Sequence, residues 1–160
     1  MAPNKPPRHY AAITHSGKII SNGHASLAGC SKLCRHAVTR HAEMDAIFKV
    51  VRSRSNDNNK NRRFFKNSVL WSLRWKVKEE TLGNRGVDRF VLGNAKPCIY
   101  CQRIALKHGI RTVCYSTEEG TIVRENLADM DCYMTGGSRK AELARFNKSY
   151  NNGRDDKQGR

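Results

Sequence analysis

Acidic residues are scarce in this chain. Among its 160 residues, 14 Asp and Glu stand against 30 Lys and Arg, which gives a formal net charge of +16. An excess of this size says nothing about the fold, but it predicts attraction to polyanions. Nucleic acid is therefore the first candidate partner, and an anionic membrane surface is the second.

The chain also lacks long apolar segments. No run of 18 or more apolar residues occurs, and the N-terminal stretch MAPNKPPRHY has no apolar core of the kind that signal peptides carry. We therefore expect an intracellular protein, in the cytoplasm or the nucleus, with no membrane-spanning segment. In such a reducing compartment, six cysteines are more typical of metal ligands or small buried side chains than of disulfides.

The uneven spread of positive charge indicates where one domain begins and ends. Residues 52–66 carry six basic residues against one acidic, whereas residues 101–138 carry four against five. The length is that of a single domain, and no internal repeat is visible. The predicted organisation is a flexible basic arm over 1–8, a domain over 9–137 with a basic insertion loop at 52–66 and an inserted segment at 78–95, and a short helix with a basic tail over 138–160.

Strand and helix patterns alternate along the chain. Strands are predicted over HYAAIT, KIISN, VLWSLRWKV, RFVL, IRTVCYS and TIVRE. Helices are predicted from Thr39 to about Arg52, from Pro97 to Gly109, and over RKAELARF near the C-terminus. Only four residues separate the last two strands, which suits an antiparallel hairpin and is too few for a crossover helix. The expected fold class is α/β.

The strand VLWSLRWKV has one face that is entirely apolar. A face of this kind is more often part of the core than a platform for stacked bases. We therefore expect burial of Val69, Trp71, Leu73, Trp75 and Val77.

The segment KPCIYC places two cysteines three residues apart at the start of a predicted helix. Cys98 and Cys101 then lie on one side of that helix, whose N-terminus lowers the pKa of their thiols. Two thiolates are half of a tetrahedral zinc site, and a catalytic zinc takes three protein ligands and leaves the fourth position to water. His41, at another helix start, is the natural third ligand, and Glu43 is the carboxylate that can take a proton from the water.

Together, His41-Ala42-Glu43 and the later PCIYC resemble the H-x-E…P-C-x-x-C signature of the zinc-dependent cytidine and deoxycytidylate deaminase superfamily. The match covers roughly Tyr10 to Glu125. Within the superfamily, NAKPCIYCQRIALKHGIRTVCYS looks most like the small deaminase-like proteins of large eukaryotic DNA viruses. The resemblance implies a three-layer α/β/α fold, a mixed sheet of about five strands with an antiparallel last pair, and a homo-oligomer.

The resemblance also implies an activity and the residues that carry it. The implied reaction is the hydrolytic deamination of cytosine in cytidine, deoxycytidine or deoxycytidylate. By this resemblance His41, Cys98 and Cys101 bind Zn²⁺, and Glu43 moves a proton from water to the ring nitrogen and then to the departing ammonia. Asn22, at the end of the second strand, matches the position that contacts the sugar.

Alternatives remain open for each of these assignments. The zinc site could be purely structural, and Asn22 could be an ordinary turn residue. The spacing of Cys30, Cys34 and His36 fits a second metal site, but also fits simple burial of the thiols.

The positive charge leaves two further functions open, because an enzyme for free nucleosides does not need it. Arg62, Arg63 and Lys66 in the basic insertion are the residues that we assign to nucleic-acid binding. One alternative is a deaminase that acts on cytosine in single-stranded DNA or RNA. The other is a catalytically idle, basic, virion-associated or packaging protein that keeps the deaminase fold.

Overall fold

The computed structural model describes residues 8–26, 40–54, 57–79 and 88–134, together with Arg139 and Leu143. Within these residues the strands are β1 (His9–His15), β2 (Lys18–His24), β3 (Ser68–Glu79), β4 (Asp88–Gly93), β5 (Thr112–Ser116) and β6 (Ile122–Asn126). The helices are α1 (Ala42–Arg54), α2 (Asn58–Lys66) and α3 (Ile99–His108). All six predicted strands are present. In the part of the chain described, no helix is long and apolar enough to cross a membrane.

The six strands form one open, mixed sheet. Its order is β2-β1-β3-β5-β6, and β4 pairs with the C-terminal half of β3. β3 and β5 run parallel, whereas β5 and β6 form an antiparallel pair, as predicted. The fold is therefore α/β, as expected, and is consistent with a three-layer α/β/α deaminase-like architecture.

One face of the sheet carries the core. Ile13 of β1, Leu70 of β3 and Val113 of β5 are neighbours across the sheet, and all three are fully buried. They form one apolar cluster with side chains of α1 and α3. The helix residues in this cluster include Met44, Ala46, Ile47, Val50, Cys101, Ile104 and Ala105.

The prediction that the all-apolar face of β3 lies in the core is wrong. Leu70 and Ser72, on the opposite face of the strand, are fully buried, whereas Trp71 is half-buried and Trp75 is 38% exposed. The helices α1 and α3 cover the face that carries Leu70. Alternation within a single strand shows that it has two faces, but only the neighbouring elements decide which face is covered.

The start of α1 lies close against β2. The helix begins one residue after His41, whose carbonyl accepts a hydrogen bond from Asp45 N at 3.0 Å. Thr39, the predicted cap, lies outside the described residues. A Cβ atom at Gly23 would meet Ala42 O at 2.2 Å, so this close approach requires glycine.

The predicted basic insertion loop at 52–66 is mostly helical instead. Its first three residues continue α1, and α2 follows after a short connection. Asp57 caps α2, because its carboxylate accepts hydrogen bonds from two backbone N–H groups of the first turn at 2.9 and 3.2 Å. Phe65 is fully buried in the core and anchors the helix. The polar composition of the segment predicts an exposed loop and shows neither this cap nor the core contacts of Phe65.

α3 begins and ends close to where the sequence predicts. Cys98 is its N-cap residue, with extended backbone, and Cys101 lies in its first turn. Pro97 therefore precedes the cap and is not in the first turn as predicted. At the other end, Gly109 is the C-cap with φ of 98°, the left-handed conformation that glycine favours.

Some predictions concern residues outside the described part of the chain. Of the predicted C-terminal helix, the two described residues are helical. The inserted segment begins within β3 and contains β4. The predicted features that fall partly or wholly on undescribed residues are the arm over 1–8, of which only Arg8 is described, the Cys30, Cys34 and His36 cluster, the inserted segment at residues 80–87, and most of the tail from 135 onward.

Candidate metal centre

Two helix starts bring the three predicted metal ligands together. His41 immediately precedes α1, while Cys98 caps α3 and Cys101 lies in its first turn. His41 Nδ1 lies 3.3 Å from Cys98 Sγ and 3.4 Å from Cys101 Sγ. The three ligand atoms all lie within 4.8 Å of one another, and both cysteines are buried. These residues can therefore hold a metal ion.

The donor set and its spacing fit zinc. Zinc–sulfur bonds of about 2.3 Å and a zinc–nitrogen bond of about 2.0 Å, at a tetrahedral angle, place sulfur and nitrogen about 3.5 Å apart. The measured separations of 3.3 and 3.4 Å are close to that value. One imidazole and two sulfurs are also ligand types that zinc accepts, and three protein ligands leave a fourth position for water.

The two sulfurs differ in their affinity for protons. Hydrogen bonds from the Cys101 thiol and from His41 lower the pKa of the Cys98 thiol to about 5, although burial opposes them. Burial raises the pKa of the Cys101 thiol well above its usual range, and Cys98 and Glu43 act in the same direction. The expectation that both pKa values are lowered is therefore met only at Cys98. Since metal ligation needs thiolates, a metal ion held here would displace the proton of the Cys101 thiol.

Glu43 lies directly beside the ligands and is only 1% exposed. Its Oε2 accepts a hydrogen bond from Cys101 Sγ at 3.6 Å, and its Oε1 accepts one from the Ser72 hydroxyl at 3.0 Å. One carboxylate oxygen thus faces the metal ligands, and the other is attached to the central strand of the sheet. Glu43 therefore lies within reach of any molecule that would bind between these three residues.

The structure adds His9 and Ser72, which the sequence reasoning did not single out. His9 Nε2 lies 2.8 Å from Ser72 Oγ and 3.5 Å from Glu43 Oε1. Because the Ser72 hydroxyl hydrogen is used on Glu43, His9 Nε2 is the donor to Ser72 Oγ. The available sequence signal was the polar alternation within VLWSLRWKV, where Ser72 and Arg74 lie on the face opposite the two tryptophans.

A pocket of about 250 Å³ opens onto the centre. His41, Glu43 and Cys98 lie in its wall, so that a small molecule in the pocket reaches both the ligands and the carboxylate. The other lining residues are Arg8, His9, Ala25, Arg74, Lys96 and Tyr133.

Asn22 is not brought to this pocket. It is exposed and pairs with Ala12 across β1 and β2, whereas the neighbouring residues Ala11 and Gly23 face α1. In the alternation of the strand, Asn22 therefore points to the opposite face of the sheet. The residue of this segment that lines the pocket is Ala25.

No family model, curated protein or solved structure matches the chain. The functional assignment consequently depends on the residues of the site and on the signature that they form.

Away from the metal centre, α2 and α3 form a second concave surface, which we call the basic groove. Its cations are Arg62, Arg63 and Lys66 of α2 and Arg111 before β5, and the cavity between them measures about 590 Å³. All four side chains are exposed. The groove lies at the C-terminal end of α3, about 16 Å along the helix from Cys98 at a rise of 1.5 Å per residue.

Proposed function

We propose that the protein is a zinc-dependent hydrolase that deaminates cytosine. The observation that supports this most is the meeting of His41, Cys98 and Cys101 beside Glu43. Residues from two distant segments lie close enough together to hold a metal ion with three ligands, and a buried carboxylate lies against this cluster without being part of it. A purely structural zinc site needs a fourth protein ligand and has no use for such a carboxylate.

In this proposal the metal and Glu43 divide the chemistry. Zinc held by the three ligands would polarise a water molecule and supply the nucleophile for C4 of cytosine. Glu43 accepts the proton of that water and donates it to ring nitrogen N3. It then passes the remaining proton of the former water from the oxygen on C4 to the amino group. The amino group leaves as ammonia, and uracil remains.

Ser72 and His9 keep the carboxylate in place during these transfers. The hydroxyl of Ser72 holds Oε1, so that Oε2 remains directed at the metal ligands. The proposal places the cytosine ring in the pocket, whose wall includes the aromatic residue Tyr133.

The proposal is tested by incubating the pure, zinc-loaded protein with cytidine, deoxycytidine, deoxycytidylate, and single-stranded DNA and RNA that contain cytosine. We expect uracil to form from at least one of them. If none of these substrates yields uracil while zinc is bound, the hydrolase proposal is refuted, and the idle scaffold becomes the better description.

Ser72→Ala is expected to lower kcat about 10- to 100-fold, since a hydrogen bond to a charged group contributes about 1.5–3 kcal/mol. KM and zinc content should stay close to those of the wild type, because Ser72 neither lines the pocket nor binds the metal. Steady-state kinetics separates the two parameters.

The matched control for this variant is Ser68→Ala. Ser68 is a buried serine on the same face of β3, but its hydroxyl donates to the carbonyl of Phe64 and not to Glu43. An equal loss of kcat in both variants would show that Ser72 only supports the strand.

The basic groove supports a second proposal, that the protein also binds nucleic acid. Arg62, Arg63, Lys66 and Arg111 form no salt bridge with any carboxylate of the described residues, so their charge is available to phosphates. The groove is separated from the metal centre by the length of α3, so this binding does not require that the site be active.

Affinity for nucleic acid should fall steeply with salt. The expected slope of log affinity against log salt is about 0.9 per contacted phosphate on duplex DNA and about 0.7 on single strands. Replacing Arg62, Arg63 and Lys66 with Ala should flatten this slope by about two to three contacts and leave zinc content unchanged.

Fluorescence anisotropy over a salt series measures the slope. Lys18, Arg103 and Arg124 are exposed, lie outside the groove and form no salt bridge within the described residues, so they provide a triple-alanine control with the same loss of charge. If the control flattens the slope as much as the groove variant does, general charge accounts for the binding and the groove has no specific role.

A further inference from the structure

The wall of the pocket that opens onto the metal centre is rich in positive charge. Three of its lining side chains are cations, namely Arg8, Arg74 and Lys96, which we call the pocket cations. Deamination adds water to the base and releases ammonia, and the charge of the base is unchanged. The reaction itself therefore does not need the pocket cations.

The backbone of each pocket cation is fixed in the fold. Arg8 O accepts a hydrogen bond from Trp75 N at 2.8 Å, which continues the pairing of β1 with β3. Arg74 N donates to Ser116 Oγ at 3.1 Å, and Lys96 N donates to Asn94 Oδ1 at 3.0 Å. The three cations therefore start from defined positions around one opening, although they come from different segments.

Their charges are not neutralised by the protein. Within the described residues, Arg8, Arg74 and Lys96 form no salt bridge with a carboxylate, whereas Arg40 forms one with Asp45 at 3.2 Å. Arg8 and Arg74 are exposed and Lys96 is half-buried. These positively charged side chains at the opening can thus bind an anion that arrives from solvent.

The size of the pocket indicates where such an anion would lie. Its volume of about 250 Å³ is below the roughly 300–1,000 Å³ that is usual for drug-sized ligands. A base directed at His41 and Glu43 fills the inner part, and a group carried on its sugar remains at the opening. Phosphate is the anionic group that a sugar of this kind carries, and arginine matches its oxygens with two donors.

We propose that the substrate of this site is phosphorylated, and that Arg74, Lys96 and Arg8 bind the phosphate next to the sugar of the reacting cytosine. This inference rests on the proposed deaminase function and narrows it from cytosine compounds in general to nucleotides. The phosphate can belong to a free nucleotide or to a phosphodiester of a single strand, since both present the same oxygens.

Binding of reaction products tests the inference without relying on turnover. Isothermal titration calorimetry of the zinc-loaded chain would compare three ligands: deoxyuridine, deoxyuridylate, and a trinucleotide with central deoxyuridine and no terminal phosphate. We expect at least one phosphate-bearing ligand to bind about 10- to 100-fold more tightly than deoxyuridine. Arg74→Ala should remove most of that preference and leave the affinity for deoxyuridine unchanged.

Two further variants keep the test decisive. Lys96→Gln should reduce the same preference, and it replaces Arg74→Ala if the latter does not fold. Arg124→Ala is the matched control, because Arg124 is an exposed arginine of β6 outside the pocket, and it should retain the full preference.

Each outcome either identifies the kind of molecule that carries the phosphate or overturns the proposal. Preference for deoxyuridylate identifies a free nucleotide, and preference for the trinucleotide identifies a strand. Equal affinity for all three ligands, or no binding of any, overturns the phosphate proposal even if the protein deaminates deoxycytidine. A phosphate preference that Arg74→Ala abolishes, in a protein that yields no uracil, supports the anion site and refutes only the proposed reaction.

Discussion

Glu43→Gln is expected to abolish deamination while leaving the protein folded and loaded with zinc. The amide has the shape of the carboxylate and can still accept the hydrogen bond from Ser72, but it cannot take up and return a proton. A general acid or base contributes about 100- to 10,000-fold, and one that serves in both steps should lie at the upper end of that range. Loss of uracil formation by about 10,000-fold, with metal analysis and thermal unfolding unchanged, is the expected result.

The control for this variant is Glu125→Gln. Glu125 is a half-buried glutamate that accepts a hydrogen bond from the Tyr115 hydroxyl at 3.0 Å and does not line the pocket. It should keep wild-type kcat. Wild-type kcat in Glu43→Gln would mean that another group transfers the proton and that the assigned role of Glu43 is wrong.

Cys101→Ser is expected to lose the metal and much of the stability together. Cys101 is fully buried, and its sulfur is one of the three atoms that could hold the metal ion, so that its replacement leaves two strong donors for the proposed zinc. A ligand present at 100 times its Kd stabilises the folded state by about 2.7 kcal/mol. For a chain of this size, that loss corresponds to a Tm lower by about 5–10 °C.

Zinc analysis and calorimetry on the same samples check this prediction. Cys114→Ser is the matched control, because Cys114 is a buried free cysteine of β5 outside the ligand cluster. It should retain about one zinc per chain. Full zinc retention in Cys101→Ser would exclude Cys101 as a ligand, and two zinc ions per wild-type chain would indicate the second site suggested by Cys30, Cys34 and His36.

The stretch from 52 to 66 shows why some of the fold was not predictable from composition. Its charge indicated an exposed loop, yet the segment forms α2, which is capped by Asp57 and contributes the buried Phe65 to the core. The burial of Phe65 depends on core residues contributed by other elements. A local pattern of two apolar residues among nine cannot show that such neighbours exist.

The tryptophan face of β3 was misjudged for a related reason. Its burial depends on which side of the strand faces the helices, and the same geometry sets the position of Asn22, which only the resemblance assigned to the sugar. Strand alternation identifies two sides and leaves the choice to register and packing. Here the pairing of Ala12 with Asn22 and of Ile13 with Leu70 places the helices on the side opposite Asn22 and Trp71.

The sequence alone was sufficient to name the candidate metal ligands and to place the six strands in their succession along the chain. Two short motifs, His41-Ala42-Glu43 and Pro97–Cys101, are recognisable from residue type and local spacing, and the signature that they resemble implied that they meet across 57 positions. Only the tertiary structure decided what surrounds them. Contacts such as Ser72 with Glu43 join residues 29 positions apart, and the pocket cations come from three separate segments. Their meeting depends on sheet register and helix packing, and no local pattern in the chain records these.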